Sequence, residues 1–424
     1  MITRGSLVER KIRLGARQAM IGIGLATLLA ACGSSSASSG SSTTSGSTGS
    51  TAASTPILIG LATPLTGGAP SEGRSEEQVA NDFVSKINSS GGIDGRQVKL
   101  IVRDTQMTPT GAVSSYESLV SAGVQAVVGE FTSTAFQAAC AVAEQEKVVL
   151  IGHASATQGL TDGKTYCFRD EYQINQATGA MFGVAKANGW NPIAIATDTS
   201  SFGAGENQSW SALAGQYGIK IATNVTWGSP AATLTAQVLN IAHSGAKAVF
   251  VGSPSGADIT LLASTMVQLG VKIPIFGPGG INGPNIVKTA GPSYSQLPGV
   301  YNITSYDSAV PKEAAFMANL STETGLPQGG GNMTRLQDAF GVIAAALSKD
   351  HGQGGLNLVN ALQTLGKYPT LAGGPGTYIK YSATVHSGLF GPNLLTVYKW
   401  SPASNSFVVD QSLSSLANSA PGVN

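Results

Sequence analysis

Charge is scarce in this chain. Only 11% of its 424 residues are Asp, Glu, Lys or Arg, against 42% hydrophobic. Disorder needs the opposite balance, so a folded body with ample core material is expected. The length exceeds what one compact core takes, and two domains are the default. No basic stripe runs through the chain either. Setting aside the five basic groups and one acid of residues 1–31 turns the formal charge of +1 into −3. That leaves no electrostatic footprint for nucleic acid, and no nucleic-acid partner is expected. Histidine is rare: His153, His243, His351 and His386 show no metal-ligand spacing, and neither a metal nor a cofactor is expected. The glycine-rich stretches Gly67-Gly68 and Gly277-Pro278-Gly279-Gly280 match neither a phosphate loop nor a dinucleotide fingerprint. No nucleophile elbow surrounds Ser133, so catalysis is not expected.

A long apolar run is also missing from the N-terminal part. Ala19–Ala31 is apolar over 13 residues, too short for a bilayer span of roughly 20. Preceded by basic residues up to Arg17, it has the form of an export signal. It ends in Leu29-Ala30-Ala31-Cys32, which resembles the lipobox of bacterial lipoproteins. Residues 1–31 are therefore read as a signal peptide and Cys32 as a lipidated N-terminus. Every residue from Gly33 to Thr55 is Gly, Ser, Thr or Ala, a composition that buries nothing and behaves as a flexible coil. Residues 32–55 are expected to tether the body to the outer face of the cytoplasmic membrane. Cysteine number is odd, at three. With Cys32 assigned to lipid, Cys140 and Cys167 are expected to form a disulfide in an oxidising compartment.

What the chain does have is alternation. Ile57-Leu58-Ile59-Gly60-Leu61-Ala62 is a short apolar run suited to a strand buried on both faces. Ser75-Glu76-Glu77-Gln78 has the form of a capping box, and Val79, Phe83 and Ile87 share a helical face. Strands are predicted at 98–102, 124–128 and 148–151, and helices at 111–121 and 135–144. The order then repeats, with strands at 193–197, 219–225, 248–251 and 273–276. Helices fall between them at 206–216, 234–242 and 259–269. Such alternation implies two parallel sheets, each with helices on both faces, and ligands beyond the carboxyl ends of the strands. The last third is mixed, with strands at 300–306, 378–381 and 394–400 and a helix at 336–347.

These residues carry a resemblance. Ile59-Gly60, Pro64-Leu65-Thr66-Gly67, Ile87-Asn88, Gly91-Gly92-Ile93-Asp94-Gly95-Arg96, Asp104, Val128-Gly129, Leu160-Thr161 and Phe168-Arg169 stand in the order seen in the branched-chain amino acid binding proteins. Those are the type I periplasmic binding proteins of ABC importers. The resemblance implies an α/β fold of two doubly wound parallel-sheet lobes joined by three hinge crossovers, near 170–175, 302–307 and 376–380. Lobe one would hold 57–172 and 306–376, and lobe two 175–303 and 379–415. It implies a monomeric extracytoplasmic receptor that captures a small polar solute and hands it to an ABC permease. A sensor of the same fold signalling to a membrane partner, or a cleft hydrolase built on Ser133 and His153, is the alternative.

The site it implies is uneven. Thr132 and Ser133 stand where the family holds a ligand carboxylate, and a helix start there suits an anion independently. In His153-Ala154-Ser155-Ala156-Thr157, Ala154 would offer a backbone carbonyl. Ala156 replaces the usual hydroxyl, so Ser155 or Thr157 would substitute, with Ser155 favoured. Phe202 would form an aromatic wall. Gly279 replaces the acid that commonly pairs with an ammonium, and a buried ammonium without a counter-charge is costly. An amide, carboxylate or neutral solute thus competes with an amino acid. Glu72 would be the remaining source of an acid.

Overall fold

The computed structural model describes residues 55–324 and 331–422. The expected signal peptide, Cys32 and nearly all of the expected tether lie outside them. In chain order the first half holds β1 (Ile57–Thr63), α1 (Pro70–Ser89), β2 (Val98–Asp104), α2 (Pro109–Ser121), β3 (Ala126–Val128), α3 (Ser133–Glu146), β4 (Val149–Gly152) and β5 (Cys167–Arg169). Then come α4 (Ile174–Ala187), β6 (Ile193–Asp198), α5 (Ser201–Leu213), β7 (Ile221–Trp227), α6 (Thr235–His243), β8 (Ala248–Gly252), α7 (Gly256–Gln268), β9 (Ile275–Pro278), α8 (Pro284–Tyr294) and β10 (Val300–Thr304). The remainder is α9 (Pro311–Thr324), α10 (Asn332–Lys349), α11 (Gly355–Gln363), β11 (Tyr368–Pro369), β12 (Tyr378–Ile379), β13 (Leu389–Phe390), β14 (Thr396–Ser401), β15 (Ser406–Val409) and α12 (Gln411–Ser419).

Two main sheets result. The first has the order β2-β1-β3-β4-β5 and is parallel throughout. β1 is an interior strand, and its Ile57, Ile59 and Leu61 are fully buried, as an apolar run without alternation requires. The second sheet runs β15-β14-β10-β9-β8-β6-β7. Its five strands β6 to β10 are parallel, while β14 and β15 are antiparallel at one edge. The expectation of purely parallel sheets is corrected there, for a reason of chain direction. β10 ends at Thr304, the chain leaves to pack α10 and α11 against α1, β3 and β4, and it returns at the same end, so Thr396 opens β14 opposite Thr304.

The chain passes between the sheets after β5, after β10 and before β14. The third passage comes later than the expected 376–380. Residues 386–388 still hydrogen-bond along β5, where Arg169 N–H donates to the His386 carbonyl and Gly388 N–H to the Arg169 carbonyl, both at 2.9 Å. β11, β12 and β13 form a small antiparallel sheet beside this edge. Tyr116, Leu119, Phe136 and Leu150 pack on one side of the first sheet. Trp227, Leu262, Met266 and Tyr294 do so on the second. A larger cluster, including Phe168, Tyr172, Phe182, Trp210 and Ile303, is continuous from one sheet to the other. The expected Cys140–Cys167 disulfide is formed, with 5.8 Å between the Cα atoms, and ties α3 to β5.

Several helices start earlier than the sequence suggests. α1 begins at Pro70, so Ser75 is interior. Its hydroxyl donates back to the Ser71 carbonyl at 3.2 Å instead of capping. Pro70 at the first turn supplies the start signal.

Candidate functional site

The strand ends of both sheets open onto one cavity of about 640 Å³. Much of the first-sheet side comes from the loops after β1, β3 and β4. The turn after β1 leads into α1, bringing Glu72 and Arg74 to the wall. Gly73 permits this, because a Cβ there would stand 2.2 Å from the Pro64 carbonyl oxygen. The loop after β3 brings Phe131, Thr132 and Ser133. Thr132 is the N-cap of α3, its hydroxyl accepting from Ala135 N–H at 3.3 Å. Ser133 is the first residue of the helix and only 1% exposed, its hydroxyl accepting from Thr157 N–H at 3.4 Å. First-turn N–H groups lack intrahelical partners, and the helix dipole favours negative charge there.

The loop after β4 contributes Ala154 and Ala156 to the wall. It is held from behind by two buried arginines. Arg169 Nη1 donates to the Ser155 carbonyl at 2.7 Å and to the Thr157 carbonyl. Arg335 Nε donates to the His153 carbonyl at 2.8 Å. Burial lowers the Arg169 guanidinium to about 10. Ser155 differs from its expected place. Its side chain is fully buried, 3.5 Å from the Glu130 carbonyl, and is not part of the cavity wall. The loop after β4 turns this hydroxyl into the protein. His153 is likewise withdrawn, its Nε2 lying 2.8 Å from Glu76 Oε1, while Thr63 Oγ1 donates to Glu76 Oε2 at 2.6 Å.

The second sheet supplies Phe202 from the first turn of α5, Pro254 from the loop after β8, and Gly256 and Ala257 from the start of α7. Gly279, Gly280 and Asn282 follow β9, while Asn302 and Thr304 come from β10 itself. Gly279 has φ +60, and a Cβ on it would lie 3.4 Å from the Phe202 ring. The positive φ suits glycine at the position where an acid was sought, while the Phe202 ring stands at ordinary contact distance. Thr157 Oγ1 donates to the Ser201 carbonyl at 3.1 Å, and Ser201 N–H donates to Thr134 Oγ1 at 3.2 Å. These bonds join the first turns of α3 and α5 beside the cavity.

Of the sequence-predicted residues, Glu72, Thr132, Ser133, Ala154, Phe202 and Gly279 meet around this space. Sequence reasoning missed Glu171, Tyr172, Asn302 and Arg335, which also line it. Arg335 Nη2 pairs with Glu171 Oε2 at 2.8 Å, and Arg335 Nη1 donates to Ser305 Oγ at 2.6 Å. Burial pushes the Glu171 carboxyl up, and Arg335 pulls it back only in part. Arg169-Asp170-Glu171, three charges in succession in a charge-poor chain, was the available signal.

Residues 56–390 match the family of periplasmic binding proteins. The leucine-, isoleucine-, valine-, threonine- and alanine-binding protein of Pseudomonas aeruginosa is 26% identical over 242 residues. The match takes in 56% of this chain and 64% of that protein, so the chain spans less than two thirds of this relative's length. A type 1 periplasmic binding protein from Bordetella pertussis has a TM-score of 0.74 at 17% identity, covering 84% of this chain and 100% of that one. A branched-chain amino acid transporter substrate-binding protein from Streptococcus pneumoniae, in complex with isoleucine, has a TM-score of 0.71 at 22% identity, with the same coverage of 84% and 100%. At these identities the likeness is one of fold. The family match, however, runs unbroken from β1 into β13, and the chain therefore belongs to the periplasmic binding proteins.

Proposed function

We propose that this protein is an extracytoplasmic receptor that captures a small polar solute between two lobes and delivers it to an ABC permease. The observation that carries this reading is the cavity walled by strand ends of both sheets, with the start of α3 on one side and Phe202 on the other. Its volume of about 640 Å³ is that of a small-molecule site. The lobes are taken as 57–172 with 306–376 and 175–303 with 379–415, except that residues 379–388 go with lobe one and the third crossing ends at Thr396. Ser133 and the α3 N-terminus would hold a carboxylate, Ala154 would orient the solute, and Phe202 would close over it. Cys32 would carry the lipid that keeps a monomeric receptor at the membrane. No catalytic step is assigned to the cavity.

A thermal-shift screen of amino acids, hydroxy acids, amides, carboxylates and ureas tests the reading. A solute that raises the melting temperature should bind with one-to-one stoichiometry in calorimetry and be recovered unchanged. Turnover of a bound solute, or failure of every class to bind, defeats it.

A further inference from the structure

We propose that Asn302 is the polar anchor on the second-sheet side of the cavity, and that it selects solutes bearing an uncharged N–H or O–H donor over those bearing an ammonium. This deepens the solute-binding reading and rests on it.

Asn302 lies on β10 and is 1% exposed. Its Nδ2 donates to the Gly277 carbonyl of neighbouring β9 at 3.2 Å, in register with the strand pairing. That bond fixes which end of the amide is engaged. Oδ1 has no hydrogen-bond partner among the described residues. Residues two apart on a strand share a face, and Asn302 and Thr304 both line the cavity. A buried carbonyl oxygen without a donor is unfavourable, and a solute N–H or O–H would satisfy it.

The charge around the cavity argues for a neutral donor. The wall carries Glu72, Arg74, Glu171 and Arg335, which sum to zero. Glu171 is engaged by Arg335 at 2.8 Å. Glu72 accepts from Ser71 Oγ at 2.6 Å and belongs to the first-sheet side. On the side of Asn302, Gly279 has no side chain to offer, and its left-handed backbone disfavours one. An ammonium placed there would be desolvated with no carboxylate on that wall. A hydroxyl, amide or ureido group would lose nothing comparable. At the opposite pole the α3 N-terminus favours an anion. The solute class that fits is a carboxylic acid with an uncharged donor, such as a 2-hydroxy acid or an N-acylated amino acid.

The test uses carboxylic acids with isobutyl or benzyl side chains, each carrying ammonium, hydroxyl, acetamido or hydrogen at C2. All eight are titrated calorimetrically into the wild type and into Asn302→Leu, Asn302→Asp and Glu72→Gln. The hydroxyl or acetamido member of a series should bind at least tenfold tighter than its ammonium and hydrogen members. Asn302→Leu should erase that advantage while leaving the hydrogen member unchanged. Asn302→Asp, nearly isosteric and so foldable where leucine is not, should shift preference toward ammonium by tenfold or more. An ammonium member that binds tightest, ignores Asn302→Leu and weakens in Glu72→Gln overturns the inference and leaves the receptor reading standing. If none of the eight binds, the inference falls. The receptor reading falls with it only if the wider screen also finds no solute.

Discussion

At the scale of single residues, the site is built from groups whose polar atoms are mostly occupied by the protein itself. Thr132 caps α3 and Ser133 holds the loop after β4 through Thr157. Ser133→Ala should weaken solute binding by about 1–3 kcal/mol through a lost buried hydrogen bond. Calorimetry with the solute found by screening would check this, and unchanged affinity would contradict the assignment. Arg335 serves differently. It binds Glu171, Ser305 and the His153 carbonyl at once, linking the first passage between the sheets to the second. Arg335→Met would leave Glu171 buried and unpaired. Breaking such a pair from one side costs about 3–5 kcal/mol, measurable as a drop in denaturant unfolding free energy. The double variant Arg335→Met/Glu171→Leu should recover a large part of that loss, because two apolar groups leave no orphaned charge.

At the scale of elements, what was legible was local. The strand-helix alternation of the first 276 residues stands in the sequence because a central parallel strand is apolar on both faces. A helix laid on it keeps one apolar stripe, as Val79, Phe83 and Ile87 do. Thr132 and Ser133 were placed by the resemblance, with a helix start expected soon after the apolar run of β3 in support. α4 was not legible. Its residues Ile174–Ala187 are buried on nearly every side, so no polar stripe marks a helix. Arg335 and Asn302 were missed because their partners are remote or invisible in the sequence. Arg335 bonds a carbonyl 182 positions away, and Asn302 stands out only through an oxygen without a partner among the described residues. Ser155 was misplaced because a loop's residue types do not say which side chain turns inward. The disulfide, by contrast, followed from counting. Joining α3 to β5 across 27 positions, it should stabilise the fold by about 3–4 kcal/mol in the chain-entropy account. Unfolding of wild type and of Cys140→Ala/Cys167→Ala under oxidising conditions measures the difference, and a gap well under 1 kcal/mol would argue against the bond.

At the scale of the whole molecule, several acids are buried in the passages and in the helices of the fold. Glu313 lies just beyond the second passage and accepts from Asp307 N–H at 3.1 Å. Asp338, on α10, accepts from Leu371 and Ala372 N–H at 2.7 and 2.8 Å. Burial outweighs these bonds. It raises the Glu313 carboxyl from the ordinary 4.5 to about 8 and the Asp338 carboxyl from 3.8 to about 7. Asp170 and Glu206 are pushed up in the same direction, again chiefly by burial. Each of these groups holds its proton more tightly folded than unfolded. Between the two pKa values the folded state binds more protons, so stability falls as pH rises. For Glu313 and Asp338 the decline begins near pH 4 and levels off above about 8 and 7. His386, lowered by burial, acts in the opposite sense, but only below its ordinary 6.5 and as one group against several. The unfolding free energy should therefore decrease steadily from pH 5 to pH 8. Glu313→Gln, which keeps shape and removes the titration, should flatten that slope most between pH 5 and 8. Chemical denaturation at half-unit intervals measures both curves. A wild-type stability that is level or rising across this window would mean that these carboxyls are not held protonated in the folded protein.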